Sequence, residues 1–120
     1  MIPGPEAVPT ALLAGLGGAA GALARYTIDL GLDGGRRSTF VVNVVGSALL
    51  GAVVASSPSD ATLAAVGTGF CGAFTTFSSF AVNVAQAAAD GRTEVALADA
   101  AGTLVAALAG VGFGWVLAGL

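Results

Sequence analysis

The sequence predicts an all-α membrane protein with four transmembrane helices, the third of which is broken. Two observations predict this fold. Of the 120 residues, 56% are hydrophobic and only 9% are charged, whereas a soluble domain carries about 25% charged residues. The apolar residues also fall into four runs, at residues 8–28, 39–55, 61–89 and 95–120, with short polar connections between them. Since a spanning helix needs roughly 17–25 residues, the chain is predicted to form one four-helix transmembrane domain.

The residue inventory excludes several kinds of function. The chain has no His, and its one Cys is Cys71, so it has no intrachain disulfide, no metal site of the Cys/His type and no His-based acid–base catalysis. The net charge is −3 and no basic cluster is present, which argues against nucleic-acid binding. We therefore expect neither an enzyme nor a nucleic-acid partner.

The first span follows an irregular, proline-rich tail at residues 1–8. Gly17, Gly21 and Arg25 are spaced by four residues and therefore share one helix face. Two interpretations are equally open at this point. The glycines are a notch for helix packing with an arginine at the membrane interface, or the face including Arg25 is functional.

The second span follows a predicted polar loop at residues 29–38. Thr39, Asn43 and Ser47 are again spaced by four, so one stripe of hydrogen-bonding groups runs along a Val- and Leu-rich helix. An Asn side chain in hydrocarbon is costly unless it is paired. Asn43 is therefore either an interhelical hydrogen bond or part of a pore. Three aligned polar side chains exceed what one interhelical contact needs, and this favours the pore.

The third run carries the most informative stretch, Gly69–Phe80. It places Thr75, Thr76, Ser78 and Ser79 among three phenylalanines, inside a run of about 29 apolar residues that is longer than a span requires. The excess length and the polar, glycine-flanked centre predict a break near residues 72–76. Interrupted membrane helices commonly bind ions at the break.

The fourth run has small residues at every fourth position, which predicts a flat seam for close packing; these residues are Ala98, Gly102, Ala106, Gly110, Gly114 and Ala118.

The donors within these spans suit an anion. No acidic residue lies near the middle of a run, so a small proton-coupled drug exporter, which needs a carboxylate within the membrane, is disfavoured. Hydroxyl and amide groups replace the hydration of an anion, and aromatic ring edges carry partial positive charge. Weak, uncharged sites also allow conduction. The carbonyl groups exposed by a broken helix favour a cation instead.

Three segments resemble the small fluoride channels, the Fluc or CrcB-like family. The third-span stretch 69–80 resembles the family signature, and residues 17–26 and 39–47 resemble the motifs of its first and second helices. The resemblance extends over nearly the whole chain. It implies an antiparallel dimer in the cell membrane, with two pathways at the interface that let internal fluoride leave by passive efflux.

The resemblance also implies roles for particular residues. Phe77 and Phe80 line the pathway with their ring edges, Asn43 is the pore-facing amide and Arg25 lies near the pore entrance. Ser78 belongs to a polar track on the third helix, and Thr39 belongs to the second-helix motif of the pathway. Backbone carbonyls of Gly72 and Thr75 bind a structural sodium ion shared between subunits.

One departure from the family leaves the dimer partner open. The fourth helix offers Thr103 as its hydroxyl, with Ala106 and Ala107 where the family usually has a serine. Arg25, Arg36, Arg37 and Arg92 all lie in or beside the first and third connections, so the positive-inside rule predicts one preferred orientation. The chain then forms a homodimer or pairs with an oppositely oriented homologue. The alternatives to a channel are a scaffold subunit that is active only with such a partner and, less favoured, a multidrug exporter.

Overall fold

The computed structural model describes residues 7–120, and side chains from Pro9 onwards. Of the irregular tail predicted at residues 1–8, residues 1–6 lie outside the described part, and residues 7–8 already belong to the first helix. The chain folds into helices α1 (Ala7–Leu32), α2 (Gly35–Ala55), α3 (Asp60–Thr62), a π-helical segment (Leu63–Cys71), α4 (Gly72–Phe74), α5 (Phe77–Ala89) and α6 (Thr93–Ala118). Four helical stretches are long and apolar enough to cross a membrane, and the third of them, Asp60–Ala89, contains the break. The all-α, four-span prediction is confirmed for the described residues.

The first connection is shorter than predicted. A loop over residues 29–38 is wrong, because α1 continues to Leu32 and α2 begins at Gly35. The chain reverses through Asp33, Gly34 and Gly35, all at positive φ, a conformation that glycine adopts without steric cost. Polar residues end the hydrocarbon-spanning part of a helix, but they do not end the helix itself, and this is why composition misplaced the boundary.

The third span is divided into two helical halves. Its first half, residues 60–74, is largely π-helical, with Ser59 capping the start by accepting a hydrogen bond from the Thr62 N–H at 3.1 Å. Thr75 and Thr76 are extended, and α5 then restarts the span. The break predicted near residues 72–76 is confirmed.

Glycines allow two pairs of spans to approach backbone to backbone. A Cβ at Gly17 or Gly21 of α1 would overlap the carbonyl oxygen of Ala65 or Phe70 in the third span. Between α2 and α6, a Cβ at Gly51 would likewise overlap the carbonyl of Val111. Small residues are what membrane helices use for such approaches, and the notch interpretation of Gly17 and Gly21 is therefore confirmed.

The small-residue seam of α6 is confirmed only in part. Gly110 and Gly114 are buried against α2, but Gly102 has no atom within 4 Å of the position that a Cβ would occupy. The buried residues of α6 also include Ala96 and Thr103. Ala96, Thr103 and Gly110 are spaced by seven residues, so burial does not follow the predicted step of four. An α-helix has 3.6 residues per turn, and a strict step of four therefore rotates away from the contact face.

Candidate functional site

The break is stabilised by a side chain from the neighbouring helix α2. Asn43 donates from Nδ2 to the carbonyl oxygen of Thr76 at 2.9 Å, and it accepts at Oδ1 from the Thr76 N–H at 2.7 Å. One amide side chain thus satisfies both backbone groups of an extended residue that is only 7% exposed. Non-helical backbone at membrane depth needs such partners.

Thr76 also starts the second half of the third span. Its Oγ1 accepts a hydrogen bond from the Ser79 N–H at 3.1 Å and lies 3.3 Å from Oγ of Ser78. A threonine in the N-cap position satisfies one of the free donors of the first helical turn. Thr76 therefore connects α2 to α5 through its backbone and its side chain.

An open groove of about 400 Å³ lies at the break. We call it the break groove. Four elements contribute to its walls: α2, the first half of the third span, α5 and α6. Its lining residues are Asn43, Gly46, Ser47, Leu50, Gly67, Cys71, Gly72, Thr75, Thr76, Phe77, Phe80, Thr103, Leu104 and Ala107. None of these described lining residues is charged, and the polar groups of the groove are amide, hydroxyl and backbone groups.

Two phenylalanines occupy one side of the break groove. The Phe77 and Phe80 ring centroids are 5.9 Å apart and the rings are inclined by 50°. Phe77 is 78% exposed in the single chain, whereas Phe74 and Cys71 are buried. Phe77 thus has few contacts within the chain, and Phe74 and Cys71 have the burial expected of packing residues.

A second recess, of about 370 Å³, lies beside the N-terminal half of α5. We call it the arginine recess. Arg25 donates from Nη2 to Oγ of Ser79 at 3.0 Å, and its Nε lies 4.0 Å from Oδ2 of Asp29. Asn83 donates to Oγ1 of Thr39 at 3.3 Å. Here the wall combines a cation, a carboxylate and several neutral polar groups.

The predicted site residues divide between these two recesses. Asn43, Gly72, Thr75, Phe77 and Phe80 line the break groove, and a smaller group lines the arginine recess, namely Arg25, Thr39 and Ser78. The Thr76–Ser78 contact and the Thr76–Ser79 hydrogen bond join the two. Hydrogen-bonding groups therefore continue from one recess into the other along the start of α5.

Two carbonyl groups at the break have lost their usual helical donors. In a continuous α-helix the N–H of Thr76 would bond to the Gly72 carbonyl, and that of Ser79 to the Thr75 carbonyl. These two N–H groups instead donate to Asn43 and to the Thr76 hydroxyl. Gly72 is exposed, and Thr75 is partly exposed. The carbonyls of Gly72 and Thr75 are therefore available to another electropositive group.

The structure adds Thr76 and Thr103 to the predicted site, and it places Ser47, a member of the polar stripe predicted on the second span, in the same groove. Sequence composition marks Thr76 only as one hydroxyl of the break, although a Thr before a restarting helix is a recognisable N-cap signal. Ser47 and Thr103 both line the groove, and the described part of the chain gives neither hydroxyl a hydrogen-bond partner. The α6 wall therefore presents one hydroxyl, Thr103, beside Ala107.

Comparison with known proteins gives consistent matches over most of the chain. The family model described as "CrcB-like protein, Camphor Resistance (CrcB)" matches residues 12–115. "Fluoride-specific ion channel FluC 2" of Natronomonas pharaonis is 51% identical over 113 residues, which are 92% of this chain and 96% of the relative. "Fluoride-specific ion channel FluC 2" of Haloarcula marismortui is 38% identical over 114 residues, covering 91% and 93%. "Fluoride-specific ion channel FluC 1" of Halobacterium salinarum is 39% identical over 111 residues, with the same coverage. With its four spans and broken third helix, the chain belongs to the CrcB-like family of membrane proteins.

Proposed function

We propose that this protein is a subunit of a fluoride-selective channel that lowers the fluoride concentration of the cell by passive efflux across the plasma membrane. The observation that carries the proposal is the break groove, whose uncharged polar groups lie beside Phe77 and Phe80. The names of the relatives, fluoride-specific ion channels, support the same ion. The mechanism has no catalytic step.

Fluoride is small and strongly hydrated, so a pathway must replace water with other donors. Asn43 uses one of its two N–H bonds for the Thr76 carbonyl, which leaves the second available. The hydroxyls of Ser47 and Thr103 and the edges of Phe77 and Phe80 supply further weak donors in the same groove. Several weak sites allow an anion to enter and to leave.

The groove is open in the single chain, and a second subunit completes the pathway. Phe77 is 78% exposed in the single chain, so its ring edges line an enclosed ion path only when a second chain covers them. A second chain in the opposite orientation places an equivalent groove against it, as the family resemblance implies. Two pathways then lie at the interface of an antiparallel dimer.

A structural sodium ion fits the free carbonyls at the break. The Gly72 and Thr75 carbonyl oxygens are the groups that would hold it, because the N–H groups that would otherwise occupy them donate elsewhere. Oxygen ligands are those a hard cation prefers. The ion would hold the two halves of the third span together and raise the local potential for anions.

The partner is either a second copy or an oppositely oriented homologue. All four arginines lie at the end of the molecule that holds the first and third connections, which supports one preferred orientation. The relatives named FluC 1 and FluC 2 are consistent with paired homologues. Expressing the chain alone and mapping its termini from each side tests this point. An equal mixture of orientations with fluoride flux intact would establish the homodimer.

Efflux from proteoliposomes tests the function itself. Vesicles loaded with potassium fluoride are treated with valinomycin, so that potassium balances the charge, and external fluoride is followed with an electrode. A channel releases fluoride without a pH gradient, and vesicles loaded with chloride show no comparable anion loss. Proton-driven uptake of organic cations would support the exporter. Flux that appears only when a homologue is added would support the scaffold subunit.

A further inference from the structure

Asp29 connects the guanidinium of Arg25 to the second helix. Its Oδ2 lies 4.0 Å from Nε of Arg25, and its Oδ1 accepts a hydrogen bond from the hydroxyl of Ser38. Ser38 is fully buried, so its hydrogen bond holds the Asp29 carboxylate against the packed helices. Arg25 in turn donates to Ser79 at 3.0 Å. One chain of polar contacts therefore joins α2, α1 and α5 at the arginine recess.

The contact with Asp29 affects how strongly Arg25 binds an anion in the recess. An unpaired guanidinium binds an anion strongly, and tight binding slows its release. Asp29 lowers the positive potential around Arg25 by opposing its charge. Both side chains are partly exposed, at 29% and 41%, so water screens the pair and the effect is moderate.

We propose that Asp29 is a positioning residue for the proposed fluoride pathway: it fixes Arg25 over Ser79 and keeps fluoride binding at the arginine recess weak. This inference rests on the proposed channel function, since it assigns the recess a place on the route of the ion. Fast passage of fluoride depends on the Asp29 carboxylate, because the carboxylate weakens the attraction between fluoride and Arg25. Arg25 is the only cation that lines the described recess.

The test compares two carboxylates at the same end of the membrane. Asp29→Asn removes the charge and keeps an oxygen that accepts from Ser38. Asp33→Asn makes the same change of net charge at the exposed turn, where Asn also tolerates the positive φ of 59°. Fluoride flux in proteoliposomes is measured against fluoride concentration for both variants. Asp29→Asn is expected to lower the half-saturating concentration about twofold to fivefold, the range of a partly exposed ion pair, and to lower the maximal flux. Asp33→Asn is expected to change neither.

Two further variants separate positioning from simple structural support. Asp29→Glu keeps the charge and is expected to restore the wild-type half-saturating concentration. In an Arg25→Gln background, Asp29→Asn is expected to have no effect, because the carboxylate acts through Arg25. The inference is overturned if Asp29→Asn matches Asp33→Asn, if its effect persists without Arg25, or if only the maximal flux falls.

Fluoride binding to the detergent-purified protein, followed by ¹⁹F NMR, repeats the comparison without conduction. Tighter binding by Asp29→Asn than by Asp33→Asn supports the inference even in a preparation that does not conduct. A wild-type protein that conducts normally but shows no difference between the two variants refutes the inference alone. A wild-type protein that neither conducts nor binds fluoride refutes the proposed function, and the role of Asp29 with it.

Discussion

The Asn43 side chain forms a pair of hydrogen bonds with the Thr76 backbone, as a residue of a neighbouring β-strand would. It donates to the Thr76 carbonyl at 2.9 Å and accepts from the Thr76 N–H at 2.7 Å. The residue thereby forms the interhelical hydrogen bond that one interpretation of its sequence position predicted, while its place in a pore stays a prediction. It is an interhelical contact, and it also lines the break groove. The amide that lines the break groove and the support of the broken backbone are therefore one side chain.

Asn43→Ala should therefore destabilise the protein as well as reduce flux. The substitution leaves two backbone groups of a nearly buried residue without partners, and each such group costs about 1–3 kcal/mol. We expect the free energy of unfolding to fall by about 2 kcal/mol or more, measured by denaturant titration of the purified protein in micelles. Asn83→Ala is the matched control, because it removes a single hydrogen bond of 3.3 Å. An equal loss in both variants would contradict the role of Asn43 at the break.

Gly21→Ala should loosen the packing of the first span on the third. A Cβ at Gly21 overlaps the carbonyl of Phe70, whereas a Cβ at Gly15 of the same helix has no neighbour within 4 Å. Overpacking of this kind costs about 1–3 kcal/mol. The thermal midpoint of Gly21→Ala in detergent is expected to fall, and that of Gly15→Ala to stay the same. Equal midpoints for the two variants would show that the α1 contact does not limit stability.

Phe77→Ile should reduce fluoride flux without affecting folding. Phe77 is 78% exposed in the single chain, so its replacement removes little intrasubunit packing but deletes an aromatic edge from the break groove. An aromatic contact is worth about 0.5–1.5 kcal/mol, which corresponds to a loss of about twofold to tenfold in rate. Phe113→Ile is the control, since Phe113 is similarly exposed at 63% but lies outside the groove. Flux is measured in proteoliposomes and assembly by size exclusion. Normal flux in Phe77→Ile would remove this ring from the pathway.

Sodium removal should destabilise the assembled protein. If the Gly72 and Thr75 carbonyls bind the ion, replacing sodium by N-methyl-D-glucamine removes a ligand that binds only the folded state, and the thermal midpoint falls. Asn43→Ala should reduce this sodium dependence, because the break then loses the side chain that holds the Thr76 backbone in place beside the Gly72 and Thr75 carbonyls. A midpoint that is independent of sodium in the wild-type protein would argue against the site.

The position of the break followed from the sequence, because hydroxyls and glycines at the centre of an apolar run longer than one span favour an interruption of the helix there. The partner of the broken backbone did not, since the contact between Asn43 and Thr76 depends on how α2 lies against the third span. Composition also misplaced the first connection, where Asp29 and Ser38 remain helical and bond to each other. The π-helical geometry of Leu63–Cys71 has no signature in hydropathy, which registers burial and not the pitch of the backbone.

The brevity of the connections has a consequence for how such proteins diversify. Between the spans lie only residues 33–34, 56–59 and 90–92, so these connections add almost no hydrophilic mass that must cross the bilayer during insertion. The energetic difference between the two ways of inserting then depends on a handful of ionic side chains. After a gene duplication, we expect one or two point substitutions among these side chains to bias sister copies towards opposite senses of insertion, without any change to the packed interior.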